Sequence, residues 1–410
     1  MRKKFLILAL AILAGTALAS AAEPVFYNRY DTSKQTPFTV SVPVPDGNYL
    51  VTVTLGSKKK AGETTIKGET RRLFVNDLVT AKGETKTVSF VVNKRDITIR
   101  GGKAEDKVTL KFRENNKLNW NDNLDLEILG PAPVVESIKI EPAENVTTVF
   151  LCGDSTVVDQ DNEPWASWGQ MFPWFFDTNI AIANYAESGE RADTFMGAGR
   201  LRKILSVLKP GDYVFVEFGH NDQKLNGPGK DGYYFFALQL KVFVDEVRAK
   251  GGIPVFLTPT QRRNFDEAGH ITNSHLNYPD GMKWVAEREN VPLIDLHAMT
   301  AHLFEALGVE GSKGALVHYK GGSYPGMPND TADNTHFNPY GAFEVAKCVV
   351  TGVQNLRLPI AKNIVNFNGF DPNYPDPRES FNWPDSPFYN LTAIQVLEKD
   401  DKATEVPARR

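Results

Sequence analysis

Two short stretches of the 410-residue chain carry the residue types that acyl transfer needs. Gly153-Asp154-Ser155-Thr156 ends the apolar run Val149-Phe150-Leu151-Cys152, and Asp333-Asn334-Thr335-His336 precedes a helical pattern that opens at Pro339. The chemistry asks for a hydroxyl in reach of a base, a carboxylate that orients the base, and donors aimed at the developing oxyanion. Ser155 supplies the nucleophile, His336 the base and Asp333 the carboxylate. Three residues apart on one loop, Asp333 and His336 can face each other locally, although Asp333 can equally serve its own loop neighbours. The donors are the backbone N–H groups of Ser155 and Gly189 and the side-chain amide of Asn221, a glycine fitting where backbone must approach the substrate. This chemistry calls for no metal and no cofactor.

Seven histidines compete for the role of base. His297 and His302 lie on a helical pattern and read as structural. His220 sits beside Asn221 and reads as support for that loop, while His270, His275 and His318 fall in loops without a neighbouring serine. Asp154 reads as a turn or capping carboxylate rather than a catalytic acid. Trp165 and Trp168, one helical turn apart, read as core.

The elements that must hold these residues follow from hydrophobic rhythm. After Asn145, apolar strands alternate with longer amphipathic stretches, the pattern of a parallel sheet covered by helices. Strands are expected at Val149–Leu151, Ile180–Ala183, Tyr213–Phe218, Pro254–Leu257 and Val291–Ile294. Helices are expected at Trp165–Phe176, Thr194–Leu208, Tyr233–Ala249, Gly281–Glu289, His297–Leu307 and Pro339–Val350. Five such strands fit a flavodoxin-like, doubly wound α/β domain over 145–355, with strand order 2-1-3-4-5 and ligands at the strands' carboxyl ends. Each of those ends carries unusual polar residues. Among them Arg191, Arg262 and Arg263 suit bidentate pairing with carboxylates of an acidic ligand, against the plain alternative of solvated surface charge.

Before that domain, over 23–141, short alternating runs read as an antiparallel β-sandwich. They are Tyr49–Leu55, Thr87–Val92, Asp96–Ile99, Val108–Phe112 and Leu124–Leu129, and Pro131, Pro133 and Pro142 mark a linker out of it. After 356 the chain is too proline-rich for regular elements yet studded with Phe367, Phe370, Phe381 and Phe388. It reads as a strap on the surface with a disordered charged end after Glu398. Met1–Ala22, with Arg2, Lys3 and Lys4 before an apolar run and Ala19-Ser20-Ala21 after it, has the form of a secretory signal peptide. Its apolar part falls short of the roughly 20 residues that span a bilayer, so no membrane anchor is expected and the mature chain is placed in the periplasm or outside the cell. Cys152 and Cys348 lie in apolar runs and read as two buried free thiols rather than a bridge. A net charge of −4 and a pI near 6.0 give no support to nucleic-acid binding.

At Gly153-Asp154-Ser155, Gly189, Gly219-His220-Asn221-Asp222 and Asp333-x-x-His336 the chain resembles the SGNH (GDSL) hydrolase superfamily, four blocks in order over about 147–352. Thr156 departs from the leucine of many members, and Val157 excludes a Gly-x-Ser-x-Gly elbow. Adding Glu163-Pro164-Trp165-Ala166-Ser167-Trp168-Gly169-Gln170, Asn184-x-Ala186-x-Ser188-Gly189 and Asp333-x-Thr335-His336-x-Asn338-x-x-Gly341-Ala342, it is similar to the rhamnogalacturonan acetylesterases of carbohydrate esterase family 12. That resemblance implies a first half like galactose-binding domains and removal of O-acetyl groups from acidic pectic polysaccharide. Alternatives are a deacetylase of another glycan such as xylan or peptidoglycan, a general lipase or thioesterase, and, in another class, a glycan-binding protein without activity.

Overall fold

The computed structural model describes residues 24–33 and 35–386, so the signal-peptide segment, Phe388 and the charged end lie outside the described residues. The first half forms β1 (Phe26–Arg29), β2 (Phe38–Pro43), β3 (Gly47–Gly56), β4 (Gly62–Gly68), β5 (Arg72–Thr80), β6 (Thr85–Lys94), β7 (Asn123–Ala132) and β8 (Val135–Pro142). The second half adds β9 (Thr147–Gly153), β10 (Ile180–Asn184), β11 (Tyr213–Glu217), β12 (Ile253–Leu257) and β13 (Leu293–Ile294), then a pair, β14 (Leu316–Tyr319) and β15 (Thr331–Phe337). Its helices are α1 (Trp168–Met171), α2 (Ala192–Gly197), α3 (Arg200–Val207), α4 (Phe235–Ala249), α5 (Tyr278–Glu289), α6 (Leu296–Gly311) and α7 (Pro339–Asn355).

Strands β10-β9-β11-β12-β13 pair in parallel, in the expected order 2-1-3-4-5. The alternation along β9 explains its central place. Val149 and Leu151 enter the apolar layer under α1, α6 and α7, whereas Phe150 and Cys152 enter the layer under α2 to α5. Both cysteines are buried and unbridged. Two expected helices are shorter than their patterns. The Trp165–Phe176 stretch yields α1 and a 3-10 turn at Phe172–Phe175 that contains Pro173, and the Thr194–Leu208 stretch breaks into α2 and α3 at Gly199, whose φ is +80°.

The first half is two antiparallel layers, β1-β8-β3-β6 and β2-β7-β4-β5, around one apolar core that includes Val51, Val53, Ile66, Leu126 and Ile138. It is not a separate unit on a linker. Val92 of β6 pairs in parallel with Ile182 of β10, so β1-β8-β3-β6 continues into the parallel strands as one nine-stranded mixed sheet. Pro131 and Pro142 lie at the ends of β7 and β8, where a missing N–H costs least. Asp96–Ile99 and Val108–Phe112 are not strands either. They meet only at the isolated bridge of Thr98 with Lys107, where Val108 N–H donates to Ile97 O at 2.8 Å, and their backbones otherwise serve the second half: Thr98 O accepts from Lys203 Nζ at 2.6 Å, and Thr109 N–H donates to Ala198 O at 2.9 Å.

The seam between halves is a layer of buried charge. Arg72 donates to Asn93 O at the end of β6 (2.8 Å) and to Ile182 O in β10 (2.9 Å), with its Nε 3.4 Å from Asp159. Arg71 reaches Gln160 O and Trp165 O, each at 3.0 Å, and pairs with Glu163. The strap of residues 356–386 then crosses back over α7. Phe381 stacks on Phe343 with ring centroids 4.2 Å apart, and Trp383 packs under Lys67, whose ammonium lies 3.4 Å from its ring centroid. Lys67 also donates to Pro384 O at 2.6 Å, and Trp383 Nε1 donates to Glu163 at 2.9 Å.

Arg72→Met removes the cation paired with buried Asp159 at 3.4 Å and leaves it only the weaker pull of Arg95 and Lys117, so the whole chain is expected to lose about 3–5 kcal/mol of stability, read as a fall in the thermal midpoint. A midpoint equal to that of the parent would mean that the seam does not depend on this pair.

Candidate active site

The carboxyl ends of β9, β10 and β11, together with β15, converge on Ser155. Past Gly153 the chain turns on Asp154: its Oδ1 accepts from Thr156 N–H at 3.0 Å, and its carbonyl accepts from the N–H groups of Val157 (3.1 Å) and Val158 (3.0 Å). The Ser155 carbonyl is held by Gln160 Nε2 (2.9 Å) and Ser167 Oγ (3.3 Å), so the serine sits in a turn fastened on both sides.

His336 arrives on β15. The Asp333 to His336 segment is strand with a shifted register rather than a plain loop: β14 and β15 pair at Tyr319 with Thr331 and at His318 with Ala332, then again only at Leu316 with Phe337. The extra residues bulge, and a bulge re-aims side chains. Asp333 Oδ1 accepts from the N–H groups of Thr335 (2.7 Å) and His336 (2.9 Å), leaving Oδ2 for His336 Nδ1 at 2.6 Å. His336 Nε2 lies 2.8 Å from Ser155 Oγ. Asp333 thus serves both its loop neighbours and the imidazole. Burial works against its charge, but His336 and these donors hold the carboxyl down at about 2. Ala166 N–H donates to Phe337 O at 2.9 Å, tying the serine segment to β15. Asn338 caps α7 by accepting from Gly341 N–H at 3.0 Å, and a Cβ on Gly341 would lie 1.9 Å from Ala315 O, so a glycine is required there.

Gly189, φ +75°, occupies a turn closed by Glu190 N–H to Glu187 O at 3.2 Å. The side-chain amide of Asn221 donates to Glu190 O at 3.0 Å, which joins the two segments expected to supply oxyanion donors, and Asn221 Oδ1 accepts from Lys224 Nζ at 2.9 Å. An amide nitrogen carries two hydrogens, so one remains for a ligand.

The arrangement contains a hydroxyl, an imidazole and a carboxylate in line at 2.8 and 2.6 Å, beside a glycine turn. The sequence matches the GDSL-like Lipase/Acylhydrolase family over residues 151–342. It is 43% identical over 223 residues to rhamnogalacturonan acetylesterase RhgT of Bacillus subtilis (strain 168), covering 54% of this chain and 95% of that protein. The chain belongs to the GDSL-like lipase/acylhydrolase family. It is an esterase. This GDSL hydrolase is also 34% identical over 220 residues to the probable rhamnogalacturonan acetylesterase YesY of the same strain, covering 53% of this chain and 97% of that protein. It is 26% identical over 343 residues to the uncharacterized esterase YxiM, again of that strain, covering 82% of this chain and 79% of that protein.

The three arginines singled out from the sequence are each engaged within the chain, while Arg191 also lines a groove with Gly189 and Arg262 feels the charges of Asp154 and Asp333. Arg191 pairs bidentately with Asp193, at 2.8 and 3.0 Å. Arg262 donates to Ser274 O (3.1 Å) and His220 O (3.0 Å), and Arg263 to Ser312 Oγ (3.0 Å), Asn334 Oδ1 (3.2 Å) and the Val309 carbonyl. Arg263 also donates its N–H to Asn334 O at 2.8 Å and so braces the bulge that carries His336. His220 supports its loop from a buried cluster: its Nδ1 lies 3.0 Å from His275 Nε2 and its Nε2 3.2 Å from Thr260 Oγ1. Burial keeps His275 neutral, down at about 2. Among the described residues no grouping of His, Cys, Asp or Glu is placed to hold a metal ion, and no described helix is long and apolar enough to cross a membrane.

Sequence reasoning missed the floor beneath Ser155. Glu217, at the end of β11, accepts from Trp168 Nε1 (2.6 Å) and Thr260 N–H (3.1 Å), and lies 3.1 Å from Thr156 Oγ1. Burial, then the neighbouring Asp154, push its carboxyl up to about 8, and burial pushes Asp222 up to about 7. The available signal was a single acidic residue inside the apolar run Tyr213–Phe218. Also missed were Arg113 and Lys117, which hold Glu187 at 2.8 Å each, and Lys111, which donates to Ser188 O at 2.6 Å. They lie in a stretch read as sandwich strand and its flank.

A carboxyl raised in the folded state stabilises fully below its unfolded value and loses that contribution as pH rises through the folded value. The thermal midpoint is therefore expected to fall between about pH 4.5 and 8, where Glu217 ionises in the unfolded chain but stays protonated in the folded one, and Glu217→Gln should flatten that fall. Asp333 acts in the opposite sense, its contribution being lost only as pH falls through about 2. Scanning calorimetry from pH 4.5 to 8 decides the point, and an equal slope in both proteins would contradict it.

Proposed function

We propose that this esterase removes O-acetyl groups from rhamnogalacturonan or a closely related acidic pectic polysaccharide through an acetyl-serine intermediate. The observation that carries the mechanism is the line from Ser155 Oγ through His336 to Asp333. Ser155 Oγ attacks the acetyl carbonyl carbon as His336 Nε2 takes its proton. The tetrahedral oxyanion is met by the N–H groups of Ser155 and Gly189 and the Asn221 amide. Collapse breaks the bond to the sugar oxygen, which leaves with the proton from His336. Water, giving a proton to His336, then attacks the acetyl-enzyme, and acetate departs as Ser155 regains its hydrogen. Asp333 keeps Nδ1 protonated and compensates the imidazolium charge throughout.

The choice of substrate rests on two relatives that bear the name rhamnogalacturonan acetylesterase, and the first half is taken as a galactose-binding-like β-domain beside the site. Met1–Ala22 is taken as an export signal, which would deliver the enzyme to polysaccharide outside the cytoplasm.

Acetate release should be measured on acetylated rhamnogalacturonan, homogalacturonan and xylan. The first is expected to be the best substrate, Ser155→Ala to lower turnover by about 10⁴-fold or more, and Asp333→Asn by about 10²- to 10⁴-fold with folding intact. Full turnover in Ser155→Ala would end the mechanistic proposal, and preference for xylan would end the substrate assignment.

A further inference from the structure

We infer that two cations of the first half, Lys111 and Arg113, strengthen the oxyanion hole of the second by polarising the peptide unit whose N–H belongs to Gly189. The inference rests on the acyl-transfer mechanism proposed above. Lys111 Nζ donates to Ser188 O at 2.6 Å, and Arg113 Nη2 donates to the same oxygen. The Ser188 carbonyl and the Gly189 N–H are the two ends of one peptide group, and in a trans peptide they point in opposite directions. A carbonyl drawn to two cations on one side leaves its N–H facing the other.

Hydrogen bonds arranged in series polarise one another by about 10–30% per bond, and a charged donor makes a bond roughly twice as strong as a neutral one. Two charged donors on one carbonyl therefore withdraw electron density from the Gly189 nitrogen and make its hydrogen a better partner for an oxyanion than for a neutral ester carbonyl. An interaction that grows as charge develops is the kind that raises kcat.

The geometry is held rigidly. Arg113 is 3% exposed, and its Nε is fixed on Glu187 Oε1 at 2.8 Å while Lys117 holds Glu187 Oε2 at 2.8 Å. Lys111, 29% exposed, is steadied by Glu190 Oε1 at 3.1 Å. Glu187 itself is anchored to the serine strand, its N–H donating to Gly153 O at 3.2 Å. Lys111 and Arg113 touch no reacting atom in this scheme and are positioning residues.

The test uses full-length Lys111→Met and Lys111→Arg with p-nitrophenyl acetate. That substrate is small beside the groove of about 420 Å³ that Lys111 lines with Gly189 and Arg191, so polymer binding does not enter the measurement. Lys111→Met is expected to lower kcat about 3- to 30-fold with KM unchanged, and Lys111→Arg to restore most of it. The rate at which p-nitrophenyl methylphosphonate modifies Ser155, forming a tetrahedral adduct as p-nitrophenolate leaves, should fall in the same ratio. Wild-type kcat in folded Lys111→Met, or a change confined to KM, overturns the inference. Should Lys111→Met fail to fold, Arg113→Lys, which keeps the charge and shortens the reach, is read in the same way. Ser155→Ala separates the two levels: if it stays active the acyl-transfer mechanism itself fails, and if it is inactive while Lys111→Met is unaltered, only the polarisation fails.

Discussion

A single guanidinium holds the place where two half-sheets become one. Between β6 and β10 the ladder pairs only Val92 with Ile182, and the rest of the junction is bridged by Arg72, which donates to a carbonyl on each side and faces Asp159. Arginine suits this position because its planar fork offers five donors in fixed directions and does not lose its charge. A cation with that burial is costly unless its acceptors are already in place, so the seam specifies one docking of the halves. Everything the first half does for the site follows from that docking: Arg71 braces the segment behind Ser155, and Lys111, Arg113 and Lys117 brace the turn that carries Gly189.

The carboxyl groups around the serine divide into two populations. Asp154, Glu217 and Asp222 lie below the surface, where burial raises all three toward the protonated form. Asp333, a quarter exposed and ringed by donors, stays ionised. Environment rather than residue type thus separates the carboxylate that faces His336 Nδ1, held down by its donors, from the three that burial raises.

The second half was legible because its signals are local. Five apolar runs each end in a polar cluster, and five strands alternating with helices fit the flavodoxin-like order 2-1-3-4-5. Ser155, Asp333 and His336 could be paired by residue type and spacing. The bulge in β15 could not, since nothing in Asp333–Phe337 announces pairing with a strand at Leu316–Tyr319. The first half was legible as strands where alternation was strong, at Tyr49–Leu55 and Leu124–Leu129, and failed at Asp96–Ile99 and Val108–Phe112, whose alternation serves contacts across the seam instead of a ladder. Arg191, Arg262 and Arg263 were legible as cations at strand ends, whereas the aspartate, carbonyls and hydroxyls that fix their orientation were not.

The strap has a consequence for the order in which the molecule can form. Lys67 emerges early in synthesis, yet its ammonium is fully buried and finds Pro384 O, the Ser386 hydroxyl and the face of Trp383 only when the last described residues arrive. Before that, Glu163 at 3.8 Å is the nearest carboxylate to this ammonium. The sandwich thus has its apolar core within its own two layers, but one of its buried charges is completed only by a segment more than 300 residues further along, which fastens the first half to the second like a buckle.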